Sequence, residues 1–252
     1  MTVGSNRLGG PAIRAVDPWI PGSASRGIHH LLSEDERAQL ATIAAIVRFK
    51  KGEKICSEGE PLKAIFNIIS GVVKAYRTCQ TGSEHIVAFL YAEDLLGLSE
   101  EGKYTNSAKA LTPVTVYALP AQALQRRLSK DPHLDFHFIA KLCQELRQAQ
   151  RHALLLAQKH ASSKLAMFLR LLEHIQSPTG AAMEIYLPMN RSDIAEYVGM
   201  SLAAVSRGFR ALAEEGVIKC RDRRHVRIID RRAFESLAHE PDTSTTIIKS
   251  AV

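Results

Sequence analysis

The stretch Asn190–Ile218, NRSDIAEYVGMSLAAVSRGFRALAEEGVI, decides how the rest of the chain is read. Within Arg191–Val198, Ile194, Ala195 and Val198 recur at the spacing of one helix face. Gly199 follows, the residue type suited to a tight turn between two steeply crossed helices. Ser201 then stands where a second helix needs a cap. Val205 and Leu212 anchor that helix, which leaves Ala203, Ala204, Ser206, Arg207 and Arg210 to point elsewhere. Ala195 is small enough to let the helices cross, and Gly216 ends the second one. These spacings predict a helix-turn-helix.

Immediately downstream, Val217–Cys220 and His225–Ile229 predict a β-hairpin, a wing. From Lys219 to Arg232 there are seven basic residues against Asp222 and Asp230, a net charge of +5. A basic hairpin beside an exposed helix suits phosphate contacts with double-stranded DNA. The bland alternative is a solvated, arginine-rich hairpin. Charge across the whole chain points the same way, at +7 with a pI near 9.3.

Upstream, Asp131–Pro132 opens a run without Gly or Pro as far as Ser177. Ile139, Leu142, Leu146, Ala149, Ala153 and Leu156 alternate three- and four-residue spacings, an a/d seam. This predicts a dimerisation helix; the alternative is a helix packed against its own domain. Ala161–Ser163 is expected to break the run and cap a helix over Lys164–Ile175, with Leu165, Phe168, Leu169 and Leu172 on one face.

Between Val47 and Leu119 the pattern is different. Glu53–Ile55, Ile65–Ile69, Val72–Tyr76, His85–Leu90 and Val114–Leu119 read as short strands between glycine turns, the pattern of a jelly-roll-like barrel. A capped helix is expected over Ser33–Ile46. The fold class is therefore α+β. A flexible arm (1–27) is followed by a β-roll effector-type domain (28–130) and a dimerisation helix (131–160). A winged helix-turn-helix (161–239) and a flexible tail (240–252) complete the order.

At 252 residues, 46% hydrophobic and 23% charged, the chain has room for two packed domains. Its apolar runs are too short for a transmembrane helix, so no membrane is expected. Met1–Ser25 has no signal-peptide apolar core, so the expected location is the cytoplasm. Cys56, Cys79, Cys143 and Cys220 stand singly, without the spacing of a zinc or iron–sulfur site. His133 and His137 lie four apart with no third ligand in view and read as surface helix residues. No metal site is expected.

The chain resembles the bacterial Crp/Fnr family of transcription regulators, relatives of the cyclic AMP receptor protein. The resemblance runs from Leu31 to Ala238. It is carried by Lys51–Glu53, Glu58–Glu60, Ile68–Lys74, Gly97–Leu98, the long helix, and Ser206–Arg207 in the second helix of the motif. It implies a β-roll effector domain, a homodimer along the long helix, a winged helix-turn-helix on DNA, and contact with RNA polymerase. Ser201, Leu202, Ala203, Ser206, Arg207 and Arg210, with wing residues Arg221, Arg223 and Arg224, are the candidate DNA-binding residues. Gly97, Leu98, Thr105 and Asn106 are the candidate effector pocket.

The chain departs from cyclic-AMP-responsive members at that pocket. Leu95 stands where their ribose glutamate is expected, and Thr105 and Asn106 where an Arg-Ser phosphate anchor is expected. No arginine occurs between Arg77 and Arg126. A buried phosphate without a cationic partner is poorly held, so cyclic AMP is not the expected effector. No cysteine precedes Cys56, so the N-terminal iron–sulfur cluster of the oxygen sensors is not expected. The reading is a member needing no small ligand, as in the FixK-like branch, or one binding an unidentified molecule. The alternative cofactor is haem, with His29, His30, Cys79 or His85 as ligands. The family often places glutamate at Ala203, which here can touch only a thymine methyl, while Arg207 remains to read guanine. Gly208 stands where an apolar side chain is common, and it weakens the helix by about 1 kcal/mol.

Two functions of other classes fit the sequence poorly. A cupin-like enzyme needs several histidines, and Val47–Leu119 holds only His85. A cyclic-nucleotide module serving another protein leaves the helix-turn-helix unexplained. No nucleophile–base pair stands out, and the expected protein is not an enzyme.

Overall fold

The computed structural model describes residues 39–79, 82–99, 101–177 and 184–239. They divide into two compact units, with the boundary between Leu146 and Arg147, inside the long helix. The arm (1–27), the tail (240–252) and the start of the expected Ser33–Ile46 helix lie outside the described residues.

The first unit is built on eight strands: β1 (Ala45–Phe49), β2 (Lys54–Cys56), β3 (Ala64–Ser70), β4 (Val73–Thr78), β5 (Glu84–Leu90), β6 (Leu95–Leu96), β7 (Ser107–Ala110) and β8 (Val114–Pro120). They pair antiparallel in two four-stranded sheets, β1-β8-β3-β6 and β2-β7-β4-β5. Alternation along each strand sends every second residue inward. Phe66, Ile68, Val73, Ala75, Ala108, Ala110, Val114 and Val116 fill the space between the sheets. On the outer face of the first sheet, Ile65, Leu95 and Leu119 pack against Leu124 of α1 (Ala121–Leu128) and against Leu134 and Phe138 of α2 (Pro132–Ala157). At the β3–β4 turn Gly71 has φ of 93°, and a Cβ there would lie 2.3 Å from the Pro113 carbonyl oxygen. Only glycine fits both conditions.

The five expected strands are present, with ends shifted by a residue or two. The expected helix to Ile46 is corrected. Helix ends at Ala41, and Ala45–Phe49 pairs residue for residue with Val114–Ala118. A local cap loses here to the ladder that β8 offers. β6 and β7 are additions, both short and lacking a clear period-two signal.

The second unit contains α3 (Ala161–Gln176), β9 (Ile185–Tyr186), α4 (Arg191–Val198), α5 (Leu202–Glu214), β10 (Ile218–Cys220), β11 (His225–Ile228) and α6 (Arg231–Ala238). β10, β11 and β9 form one antiparallel sheet. Leu165, Phe168, Leu169 and Leu172 of α3 are all fully buried, as their spacing predicts. The helix break is corrected: it falls at Gln158–His160, and Ala161–Ser163 form the first turn of α3, with no side-chain cap. α6 is a further addition, capped by Asp230, whose carboxylate accepts from the Ala233 amide at 2.9 Å. Arg231 on α6 donates to Glu173 of α3 at 2.6 Å, so Arg231 and Arg232 belong to this helix rather than to the wing.

Candidate nucleic-acid interface

Local chemistry fixes both helices of the motif. Asn190 and Asp193 form a capping box on α4: the Asn190 side chain accepts from the Asp193 amide at 2.8 Å, and Asp193 accepts from the Asn190 amide at 3.2 Å. Ile194, Ala195, Tyr197 and Val198 are buried. Gly199 ends α4 in the left-handed conformation, φ 63° and ψ 47°. Ser201 caps α5 by accepting from the Ala204 amide at 3.1 Å. Val205, Gly208, Phe209 and Leu212 face inward. Leu202, Ala203, Ser206, Arg207 and Arg210 are exposed, and the last four form one stripe at i, i+3, i+4 and i+7.

Gly208 now has a physical account. A Cβ at this position would lie 2.6 Å from Leu165 Cδ1, so glycine lets α5 lie directly on α3. The guanidinium of Arg191 stacks on the Phe209 ring, 3.3 Å from its centroid, and joins the start of α4 to α5. Burial pushes the Arg191 pKa below its usual value. Nothing in the local sequence pattern pairs these two residues.

The wing residues divide into two kinds. Asp222 shapes the hairpin turn by accepting from the Arg224 amide at 2.6 Å and the His225 amide at 2.9 Å. The Arg224 amide, followed by the His225 ring, holds its carboxyl below the usual carboxylate range. Arg224 turns inward and donates to the carbonyls of Leu187 and Pro188, at 3.2 and 2.9 Å, bracing the wing on the segment after β9. Arg221 pairs with Glu184 at 2.8 Å yet keeps an exposed side chain. Lys219, Arg223 and Arg227 are exposed. The basic count of the hairpin is therefore larger in sequence than on its surface.

Along α2, the expected seam residues Ile139, Leu142, Leu146, Ala149, Ala153 and Leu156 are all exposed, Leu146 at 60%. Phe136, at 67%, extends the apolar surface. The adjoining side of the same helix buries Leu134, Phe138, Lys141, Gln144 and Leu155. Burial alone would lower the Lys141 pKa, but Asp94 at 3.3 Å and Glu145 at 3.5 Å hold it above its usual value.

The residues of the candidate effector pocket fall in different surroundings. Leu95 faces the α1–α2 core, on the opposite side of β6 from Leu96, because adjacent strand residues point to opposite faces. Leu98 also packs on that outer core. Gly97, φ 95°, lies against Tyr104; a Cβ there would sit 3.0 Å from the ring. Tyr104 is buried inside the roll, stacks on Phe66 at 6.4 Å, and donates from its hydroxyl to the Ala64 carbonyl at 2.9 Å. Burial raises its pKa and pushes the neighbouring Cys56 thiol up to about 11. Thr105 is exposed and accepts from Asn106 Nδ2 at 3.4 Å.

Of the candidate haem ligands, His29 and His30 lie outside the described residues. Cys79 is exposed, and His85 on β5 lies opposite Arg77 on β4. His133 and His137 fall on α2, and their side chains lie outside the described part. Among the described residues no His, Cys, Asp and Glu groups gather as a metal site, and no helix is long and apolar enough to cross a membrane.

The second unit is a winged helix-turn-helix domain, and the first is a double-sheet roll. Residues 46–131 match the cyclic nucleotide-binding domain family, and residues 163–237 match the Crp-like helix-turn-helix domain. The chain is 34% identical over 173 residues to the nitrogen fixation regulation protein FixK of Bradyrhizobium diazoefficiens, covering 68% of this chain and 73% of that one. It is 30% identical over 192 residues to the transcriptional activator protein Anr of Pseudomonas aeruginosa, covering 75% and 78%. The solved structure of FixK2 from Bradyrhizobium japonicum is similar with a TM-score of 0.72 at 27% identity, covering 79% of this chain and 99% of that one. The chain belongs to the Crp/Fnr family of transcription regulators, as the resemblance implies, with the α+β architecture expected.

Proposed function

We propose that this protein binds a palindromic operator as a homodimer and activates transcription. Each α5 enters a major groove, the two about 34 Å apart. The exposed stripe Ala203, Ser206, Arg207 and Arg210 carries this reading, because it leaves an arginine on the one helix face not used for packing. Arg207 reads guanine, and Ala203 contacts a thymine methyl. Ser201, Ser206, Arg210, Arg221 and Arg223 fix the phosphate register, with Leu202 at the edge of the contact. Arg224 serves by bracing the wing. The exposed face Ile139–Leu156 supports pairing of two α2 helices, since apolar surface of this extent is normally covered by a partner. Activation follows the relatives that are named activators, and contact with RNA polymerase is what the family resemblance implies.

For the roll, the favoured state needs no cyclic nucleotide and no metal or haem. Tyr104 and Phe66 occupy its interior, and the cassette lacks a phosphate-pairing arginine. The test is selection on a random-palindrome DNA pool with purified, ligand-free protein, with an absorbance spectrum recorded alongside. Enrichment of a two-fold site from colourless protein is the expected result. Weak, salt-sensitive, sequence-blind binding refutes ligand-free competence, and a Soret band refutes the haem-free reading.

A further inference from the structure

The turn between α4 and α5 is held by two side chains from outside the motif. The amides of Gly199 and Met200 both reach the Ala195 carbonyl, and the next carbonyls, of Tyr197 and Val198, face side chains from outside the motif. His152 Nε2 lies 2.7 Å from the Tyr197 oxygen. A carbonyl only accepts, so the imidazole donates there. Lys164 Nζ donates to the Val198 oxygen at 3.1 Å. His152 belongs to the last turns of α2 and Lys164 to the first turn of α3. The His152 ring also lies flat on the Tyr197 ring, centroids 4.1 Å apart and 4° from parallel. A Cβ on Gly199 would meet Leu156 at 3.0 Å and Lys164 at 3.9 Å. Two donors thus converge on the negative end of the α4 dipole, where donors bind best. Together with the ring stack and the close approach at Gly199, they fix both the position and the rotation of that helix end.

We propose that His152 and Lys164 are positioning residues for operator recognition. They lock the α4–α5 turn to the α2–α3 junction, so the angle at which α5 presents Arg207 follows the end of α2. The inference rests on the operator-binding reading above.

The test uses full-length chains. His152→Phe keeps the ring stack and removes the donor, and Lys164→Met keeps the stem and removes the charge. His152→Gln and Lys164→Arg restore a donor. Amide exchange at Gly199 and Met200, read without DNA, is expected to speed up about three- to tenfold in each donorless variant. It returns to within about twofold of the parent in the donor-restoring ones. The ratio of operator to random-DNA affinity falls by about three- to tenfold in the donorless variants, while sequence-blind binding holds. Unchanged exchange in both donorless variants overturns the lock. Faster exchange with an unchanged operator ratio overturns the positioning role, as does an equal fall in specific and sequence-blind affinity. Should His152→Phe not fold, Lys164→Met at its half-buried site carries the same test. A parent chain with no operator preference refutes operator binding instead, and the exchange data still decide the lock.

Discussion

Gly208→Ala sets two effects of opposite sign against each other. Alanine in a helix interior is favoured over glycine by about 1 kcal/mol. At Gly208, however, the new methyl would sit 2.6 Å from Leu165 Cδ1. Carbon pairs rest at about 3.5–4.0 Å, so the overlap is about 1 Å. Leu165 is fully buried, and forcing a packed core side chain to yield costs about 1–3 kcal/mol. The overlap wins, and the net destabilisation is about 1 kcal/mol, or a fall of about 4–8 °C in the melting of a unit of this size. Scanning calorimetry of the C-terminal unit reads it. A second background sharpens the test. In Leu165→Ala the clashing carbon is gone and a cavity remains, so Gly208→Ala there is expected to stabilise by about 1 kcal/mol. Stabilisation in the parent chain, or the same sign in both backgrounds, refutes close packing as the reason for this glycine.

Arg207→Ala is expected to cost about 1–3 kcal/mol of operator affinity and to relax guanine preference at one position of each half-site, read by selection on randomised DNA. Leu142→Glu with Leu146→Glu is expected to give monomers in sedimentation with the roll still folded, because both side chains are already exposed in the single chain. Glu173→Gln removes the buried carboxylate that receives Arg231 and is expected to destabilise the C-terminal unit by about 1–3 kcal/mol in thermal melts. Burial holds the His152 pKa below its ordinary value, so the folded chain keeps the ring neutral where the unfolded chain protonates it. Stability is therefore complete above about pH 6.5 and falls as pH drops below it, a dependence that His152→Gln flattens in melts across that range.

The helix-turn-helix is legible because the devices that start, turn and phase its two helices are local. Ser201 bonds three residues ahead, Gly199 supplies a backbone angle that others resist, and the helical period sorts Val205 and Leu212 from Ala203, Arg207 and Arg210. The seam from Ile139 to Leu156 is legible for the same reason: spacing alone puts it on one face.

β7 carries no such signal. Ser-Ala-Lys-Ala becomes a strand because β2 and β4 flank it and supply both ladders. The helix expected to reach Ile46 ends at Ala41 because the next residues find β8. Leu95 turns away from the roll interior because the phase of β6 is set by its pairing with β3. Arg224 and Arg231 look like free wing cations in one dimension, yet each has found partners more than thirty residues away.

The sequence by itself determined the elements whose hydrogen bonds and periodicities close within a few residues: the Ser201 cap, the Gly199 turn, the outward face of α5 and the exposed seam. Only the tertiary structure decided which charges stay on the surface, why glycine suits position 208, and which side chains hold the helix-turn-helix in place. Those outcomes depend on contacts between distant segments, and only packing brings such segments together.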